Sequence, residues 1–201
     1  MPISRGFRGR RSPVDDDVAG RVPPGQHLVD DFPVLSAGPT PHTPLDEWSF
    51  EIRGAAEPVS WTWQEFRDLP SESVTVDIHC VTKWSKIDTS WEGVSVDTLL
   101  DVVEHDAAYL LAFCDGGYTT NLPVEDVTDG KAWLAYSYEG EPLDPEHGGP
   151  VRLLVPHLYF WKSAKWVRGF VLRDEDEPGF WESNGYHLYG DPWREQRYWG
   201  D

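Results

Sequence analysis

HGGPVRLLVPHLYFWKSAKWVRGFVLR, His147 to Arg173, reads as two short strands joined by a loop rather than as a helix. Val151 to Val155 and Trp166 to Leu172 are rich in β-branched and aromatic residues, while Pro156 and the small pair Ser163-Ala164 break any helical period between them. The pattern repeats on the N-terminal side. Trp48 to Gly54 alternates apolar and polar residues, which predicts a half-buried strand. Val74, Val76, Ile78 and Cys80 share one strand face, with Thr75, Asp77 and His79 on the other. Ala108 to Cys114 is a nearly continuous apolar strand followed by a turn at Gly116-Gly117, and Lys131 to Tyr138 is a further strand. Helices are expected only as short pieces. One runs from a Thr62 cap to Leu69 before Pro70, and another is capped by Asp97 and carries Leu99, Leu100 and Val103. No internal repeat is visible. Short helices scattered among many short strands predict an α+β domain with mixed β-sheets.

The chain has 201 residues, enough for one domain with a tail. Residues 1–25, rich in Arg, Asp, Pro and Gly, are expected to form a flexible tail, and residues 26–201 the domain. Pro33, Pro39, Pro41 and Pro44, preceded by Pro23-Pro24, predict an extended segment lying across the domain. The formal net charge of −18 argues against binding nucleic acid or anionic lipid, whose phosphates repel such a surface. No apolar run is long enough for a transmembrane helix. Cys80 and Cys114 are too few for a disulfide scaffold or a four-thiolate zinc site. The basic N-terminus runs into Asp15-Asp16-Asp17 instead of an apolar stretch, so an export signal is not expected and a cytoplasmic, thiol-reducing location is. The acid excess, with only five lysines, fits a surface adapted to high salt.

Chemistry is concentrated where acids are missing. His147 to Arg173 contains no Asp or Glu over 27 residues, where the chain's average acid content predicts about five. It carries Arg152, Lys162, Lys165, Arg168 and Arg173, together with His147 and His157. On so acidic a chain, one reading is a sheet core with its cations reaching to solvent, and the other is a pocket for an anion. The glycine turn before Arg152 allows backbone amides to approach a phosphate, Arg152 supplies a two-pronged donor, and Ser163-Ala164 leaves room beside Lys165. A buried phosphate is the preferred ligand. Cys80, at the end of a strand face, is either a small core residue or a thiolate favoured by Lys83 and Lys86 and suited to a soft metal. Cys114 reads as core. Of eleven tryptophans, Trp84, Trp91 and Trp161 are expected around the site, although aromatic walls for carbohydrate or peptide are a separate possibility. The acidic run Asp174 to Glu177 reads as solvated surface.

In order along the chain, CVTKWS (Cys80 to Ser85), WEGV (Trp91 to Val94), GYTTNLP (Gly117 to Pro123), LAY (Leu134 to Tyr136), HGGPVR (His147 to Arg152) and VPHLY (Val155 to Tyr159) running into WKSAKW (Trp161 to Trp166) resemble the oxidoreductase molybdopterin-binding domain of the sulfite oxidase superfamily, in its small prokaryotic members. The resemblance implies the sulfite-oxidase molybdopterin-binding fold and a molybdenum-molybdopterin cofactor. It makes the Cys80 sulfur the protein ligand of molybdenum and assigns His147, Arg152, Ser163, Ala164 and Lys165 to the pyranopterin and its phosphate. It also places Asp115 close to the metal and Tyr136 as a catalytic tyrosine beside the metal's oxygen ligand. Phe32 to Leu35 would pack over the cofactor. The implied activity is two-electron oxygen-atom transfer with a small-molecule oxygen donor or acceptor and an unidentified electron-transfer partner. The alternative is a cofactor-binding or carrier module without turnover. Two departures bear on the substrate. True sulfite oxidases follow the cysteine with a Gly-Asn-Arg type sequence, where this chain has Val81-Thr82-Lys83-Trp84, and they carry a sulfite-binding arginine near the position of Leu35. Relatives that reduce methionine sulfoxide share the Cys-Val-x-x-Trp-Ser pattern. Lys83 or His157 would then be the residues left to attract an anion.

Overall fold

The structure, a computed structural model, describes residues 16–201. In chain order its elements are α1 (Asp16–Ala19), β1 (His27–Leu28), β2 (Ser49–Arg53), β3 (Val59–Thr62), α2 (Trp63–Arg67), β4 (Glu72–His79), β5 (Trp84–Ser95) and α3 (Val96–Leu100). They continue with β6 (Tyr109–Cys114), β7 (Thr119–Pro123), β8 (Trp133–Tyr138), β9 (Glu141–Pro142), β10 (Arg152–Leu154), β11 (Val167–Arg173) and α4 (Phe180–Ser183). Two mixed sheets carry the fold. One has the order β1-β5-β8-β10, with β4 on the other edge of β5 and β9 on β8; the second has the order β3-β2-β11-β6-β7. Parallel pairs β1–β5 and β2–β11 sit among antiparallel neighbours.

Side-chain alternation divides the core. On β8, Leu134 and Tyr136 face the second sheet and join Phe50, Ile52, Leu110, Ala112 and Phe170 in the larger cluster. Trp133 and Ala135 face the opposite way, into a second cluster with Ile78, Trp84, Trp91, Leu154, Tyr159, Phe160 and Trp161. The six-stranded sheet is therefore apolar on both faces. Gly93 permits its curvature, because a Cβ there would lie 2.5 Å from the Leu134 carbonyl oxygen where the β5–β8 register shifts.

Five strands were not expected: the two-residue β1 and β9, and β3, β5 and β7. β5 carries in its middle the largely polar run Lys86 to Ser90, broken only by Ile87, with Asp88 at φ +55°. Its polar groups are satisfied inside the sheet: the Thr89 hydroxyl donates to the Val76 carbonyl and accepts from the Trp91 indole. β3 and β7 are short and rich in Ser and Thr, with no strong apolar period. The cap of α3 is also corrected. Ser95 is the N-cap, accepting from the Asp97 amide, while Asp97 lies in the first turn and accepts from the amides of Asp129 and Gly130. The Thr62 cap stands, with Glu65 completing a capping box.

Residues 1–15, most of the expected tail and all of the basic stretch read for an export signal, lie outside the described residues. From Arg21 onward the chain is attached to the sheet. The Arg21 guanidinium pairs with Asp77 and Asp88, each at 2.6 Å, and the Gln26 side-chain amide donates to the Cys80 carbonyl. The proline-rich segment between β1 and β2 crosses the domain, held by Lys165 at the Leu35 carbonyl and by the Thr43 hydroxyl on Asp115. No helix among the described residues is long and apolar enough to cross a membrane.

Candidate cofactor site

Cys80 follows the last residue of β4, in the tight turn that joins it to β5. Its amide donates to the Trp84 carbonyl, its carbonyl accepts from Lys83, and Lys83 takes φ +76° to close the turn. The Cys80 Sγ is 3.2 Å from the Thr82 hydroxyl. Burial pushes the thiol above its ordinary range, and the Thr82 hydroxyl with the amides of Thr82 and Val81 pulls in the opposite direction. The two lysines expected to favour a thiolate do not do so. Lys86 reaches away to the Asp30 carbonyl, and the exposed Lys83 side chain is not among the groups that shift the thiol. Backbone donors take their place.

The acid-free stretch divides its cations sharply. Lys162 is buried against Glu182 at 2.7 Å, Arg168 meets Asp115 at 3.3 Å, and Arg173 meets Glu177 at 2.6 Å. Arg152 and Lys165 face no carboxylate among the described residues. Arg152, at 1% exposure, donates to the carbonyls of His147 and Ser163 (2.7 Å each) and lies over the Phe160 ring, while its Nε is buried without a partner. Burial pulls this guanidinium down from its ordinary value. Lys165 donates to the Leu35 and Glu146 carbonyls, and burial, followed by the charge of Arg152, pulls its ammonium down to about 8. Buried cations that lack counter-charges are costly unless an anion arrives. Ser163 Oγ accepts from the Val155 amide and keeps its own proton free to donate. Gly148, at φ +109°, brings the turn so close that a Cβ would sit 3.0 Å from the Lys165 side chain.

These elements enclose a cavity of about 550 Å3. Six of the residues expected at a cofactor site line it together: Cys80, Asp115, Arg152, Ser163, Ala164 and Lys165. Asp115 is fixed by Arg168 and Thr43, and Gly116 and Gly117, both at positive φ, present bare backbone with open space beyond. His147 stands behind the wall. Its ring stacks on Phe32 at 4.0 Å, Phe32 lines the cavity, and the His147 Nδ1 is buried without a partner. Trp84 and Trp161 line the cavity as expected, whereas Trp91 lies beneath it, 5.7 Å from the Arg152 guanidinium.

Tyr136 is not brought to this cavity. It lines a separate cleft, donates to Glu92 at 2.7 Å and lies under the Arg67 guanidinium. The alternation of β8 forces this, because Ala135 faces the cavity side and Tyr136 the inter-sheet core. Tyr118 and Tyr186 line the cavity instead. Tyr118 belongs to the quoted GYTTNLP stretch, and Tyr186 to the aromatic C-terminal region. His157 pairs with Asp126 at 3.2 Å and is absent from the cavity wall. Cys114 lies in the larger core cluster, as expected.

The residues fit the implied group. A cysteine thiol, the chemistry a soft metal favours, two cations that meet no carboxylate among the described residues and a free hydroxyl line one cavity, and the buried polar atoms Arg152 Nε and Trp84 Nε1 have no partner among the described residues.

Comparison with known proteins agrees. The family model described as "Oxidoreductase molybdopterin binding domain" matches residues 37–181. The "Uncharacterized oxidoreductase YuiH" of Bacillus subtilis is 44% identical, covering 90% of this chain and 94% of that one. The mitochondrial sulfite oxidase of Drosophila melanogaster is 26% identical over 77% of this chain and 32% of its own length. The catalytic subunit of the protein-methionine-sulfoxide reductase MsrP of Campylobacter jejuni is also 26% identical, over 71% of this chain and 54% of its own. This chain thus spans a third to about half of those two longer relatives. In fold, the chain is similar to the sulfane dehydrogenase SoxCD from Paracoccus pantotrophus, with a TM-score of 0.62 at 19% identity, covering 87% of this chain and 57% of that one.

Proposed function

The chain belongs to the oxidoreductase molybdopterin-binding domain family, and from that premise we propose that it is a molybdenum-cofactor-dependent enzyme carrying out two-electron oxygen-atom transfer on a small substrate. The observation that carries the reading is one cavity lined both by the Cys80 sulfur and by two cations, the buried Arg152 and the half-buried Lys165, that meet no carboxylate among the described residues. When bound, the cofactor supplies the two-electron redox chemistry.

The residues of this chain bind and orient. Cys80 Sγ is the ligand for the metal, and the amides of Val81 and Thr82 stabilise the thiolate it must become. Arg152, Lys165, the Ser163 hydroxyl and the backbone beside Ala164 grip the cofactor's phosphate, whose charge neutralises the exposed cost of the two cations. Phe32, held on His147, closes the wall from the proline-rich segment. Trp84, Trp161, Trp181 and Tyr186 keep water from the sulfur's neighbourhood and shape the space left for substrate. Arg168 is committed to Asp115 and Lys162 to Glu182, so neither is free to receive a sulfite anion. Reductive transfer from a neutral oxygen donor is therefore at least as well supported as sulfite oxidation.

Protein from a molybdate-fed host, assayed with sulfite, sulfoxides and N-oxides against a redox dye, tests this. Turnover that falls by more than about 100-fold in Cys80→Ser, with circular dichroism unchanged, is expected; this exceeds the usual cost of an outer-shell loss at a metal site. Cofactor retained with no turnover on any substrate would identify a carrier instead.

A further inference from the structure

A two-electron reaction inside the cavity requires electrons to cross the protein surface, and one side of the cavity offers a continuous aromatic route outward. Trp181 and Tyr186 line the cavity together with Cys80. Their rings stack, 4.9 Å apart and 16° from parallel, and Tyr186 also meets Trp161 at 5.0 Å. From Tyr186 the next ring is Tyr198, at 5.7 Å, held in register by a bridge between the two residues. Tyr198 is 54% exposed. Its neighbour Trp199, whose amide is tied to the Gly185 carbonyl, is 83% exposed, and Trp193 nearby in sequence is 48% exposed. Three large aromatic rings exposed within seven residues are unusual on a surface with this much charge. Carboxylates accompany them: Asp191 accepts from the Trp193 amide, and Asp201 accepts from the amides of Arg197 and Tyr198.

We propose that the exposed Tyr198–Trp199 pair is the docking surface for a basic one-electron carrier protein, and that the rings Tyr198, Tyr186 and Trp181 are the path by which each electron crosses between that carrier and the cavity. The inference rests on the redox reading above. The occupant follows from charge. With a formal net charge of −18, the chain attracts a carrier whose redox group is ringed by lysines and repels an acidic one. The aromatic rings supply the desolvated centre of such an interface, and the rim carries Asp191, Glu195 and Asp201 against Arg194 and Arg197, so the segment stays net negative within a strongly acidic chain. Ring-to-ring contact matters because tunnelling weakens steeply across empty space. No ring is itself oxidised, since each only shortens the gap. One electron crosses per encounter and the carrier changes by one unit of charge, so two encounters complete a turnover in either direction.

A lysine-rich c-type cytochrome is a suitable probe. Its haem should quench tryptophan fluorescence of the protein at low ionic strength, with the effect lost in high salt and weakened about tenfold or more in Trp199→Ser. Tyr198→Leu should keep binding but slow electron exchange with the cytochrome, while dye-coupled turnover remains unchanged in both variants, because a small dye reaches the cavity without docking. Val102→Ser, an exposed apolar residue outside this face, should change nothing. Wild-type protein that does not bind the cytochrome in low salt overturns the proposal, as do variants that bind and exchange electrons normally, or a Trp199-dependent dimer in sedimentation. Binding that behaves as described in a protein with no dye-coupled turnover would leave this surface standing and remove the oxygen-transfer reading.

Discussion

At the level of single residues, the site is defined by which charges lack partners. Five cations were visible in the acid-free stretch, yet among the described residues only Arg152 and Lys165 of these meet no carboxylate, and a linear sequence does not reveal that sorting because Glu182 and Asp115 arrive from elsewhere in the chain. Lys165 makes the binding site sensitive to pH. Its ammonium titrates near 8 when the cavity holds no anion, so charge is present below that value and lost above it. Protection of the cofactor-free chain by sulfate, an anion that does not titrate in this range, read as a rise in melting temperature, should therefore be full near pH 7 and fall between about pH 7 and 9. Lys165→Met should lower the protection and remove its pH step; protection that is flat with pH in the wild type would contradict the assignment. Cys80 was legible as a ligand candidate, but its environment was not. Lys86 reaches away to the Asp30 carbonyl and Lys83 is exposed, neither shifts the thiol, and backbone amides in a turn leave no mark in residue type.

At the level of elements, the strands with a clear period were readable: β2, β4, β6, β8, β10 and β11 all appear where alternation or an apolar run placed them. β5 was not, because its middle buries Thr89 through hydrogen bonds rather than through hydrophobicity. Tyr136 shows how a one-residue alternation decides which face of the sheet a side chain reaches, since its neighbour Ala135 takes the cavity side. β11 depends on a glycine that sequence alone does not explain. Gly169 lies where a Cβ would meet the Glu51 carbonyl at 2.3 Å and the Phe113 ring at 2.5 Å, between two paired strands. Gly169→Ala should cost about 2 kcal/mol and lower the melting temperature by roughly 4–8 °C, since the Glu51 carbonyl cannot retreat without breaking strand pairing and the Phe113 ring must be displaced as well. A variant melting within a degree or so of the wild type would show that this part of the sheet is looser than its packing indicates.

For the whole molecule, the α+β class with two mixed sheets follows from many short strands, but their pairing order does not, because parallel contacts such as β2–β11 join segments more than a hundred residues apart. The acidic surface belongs to this scale as well. Thirty-five acids against seventeen basic residues repel one another over the whole surface, and salt screens that repulsion. Melting temperature should rise steadily as KCl increases from dilute buffer to molar concentration, and a melting temperature independent of KCl would remove salt adaptation from the account. The same fold-level arrangement sets the cation cradle seventy residues beyond Cys80 in sequence but on the same cavity wall. Molybdenum K-edge X-ray absorption on the wild type and on Cys80→Ser tests that arrangement at its centre. The metal should be present and should lose one sulfur neighbour in the variant; molybdenum absent from the wild type, or an unchanged sulfur count, would contradict it.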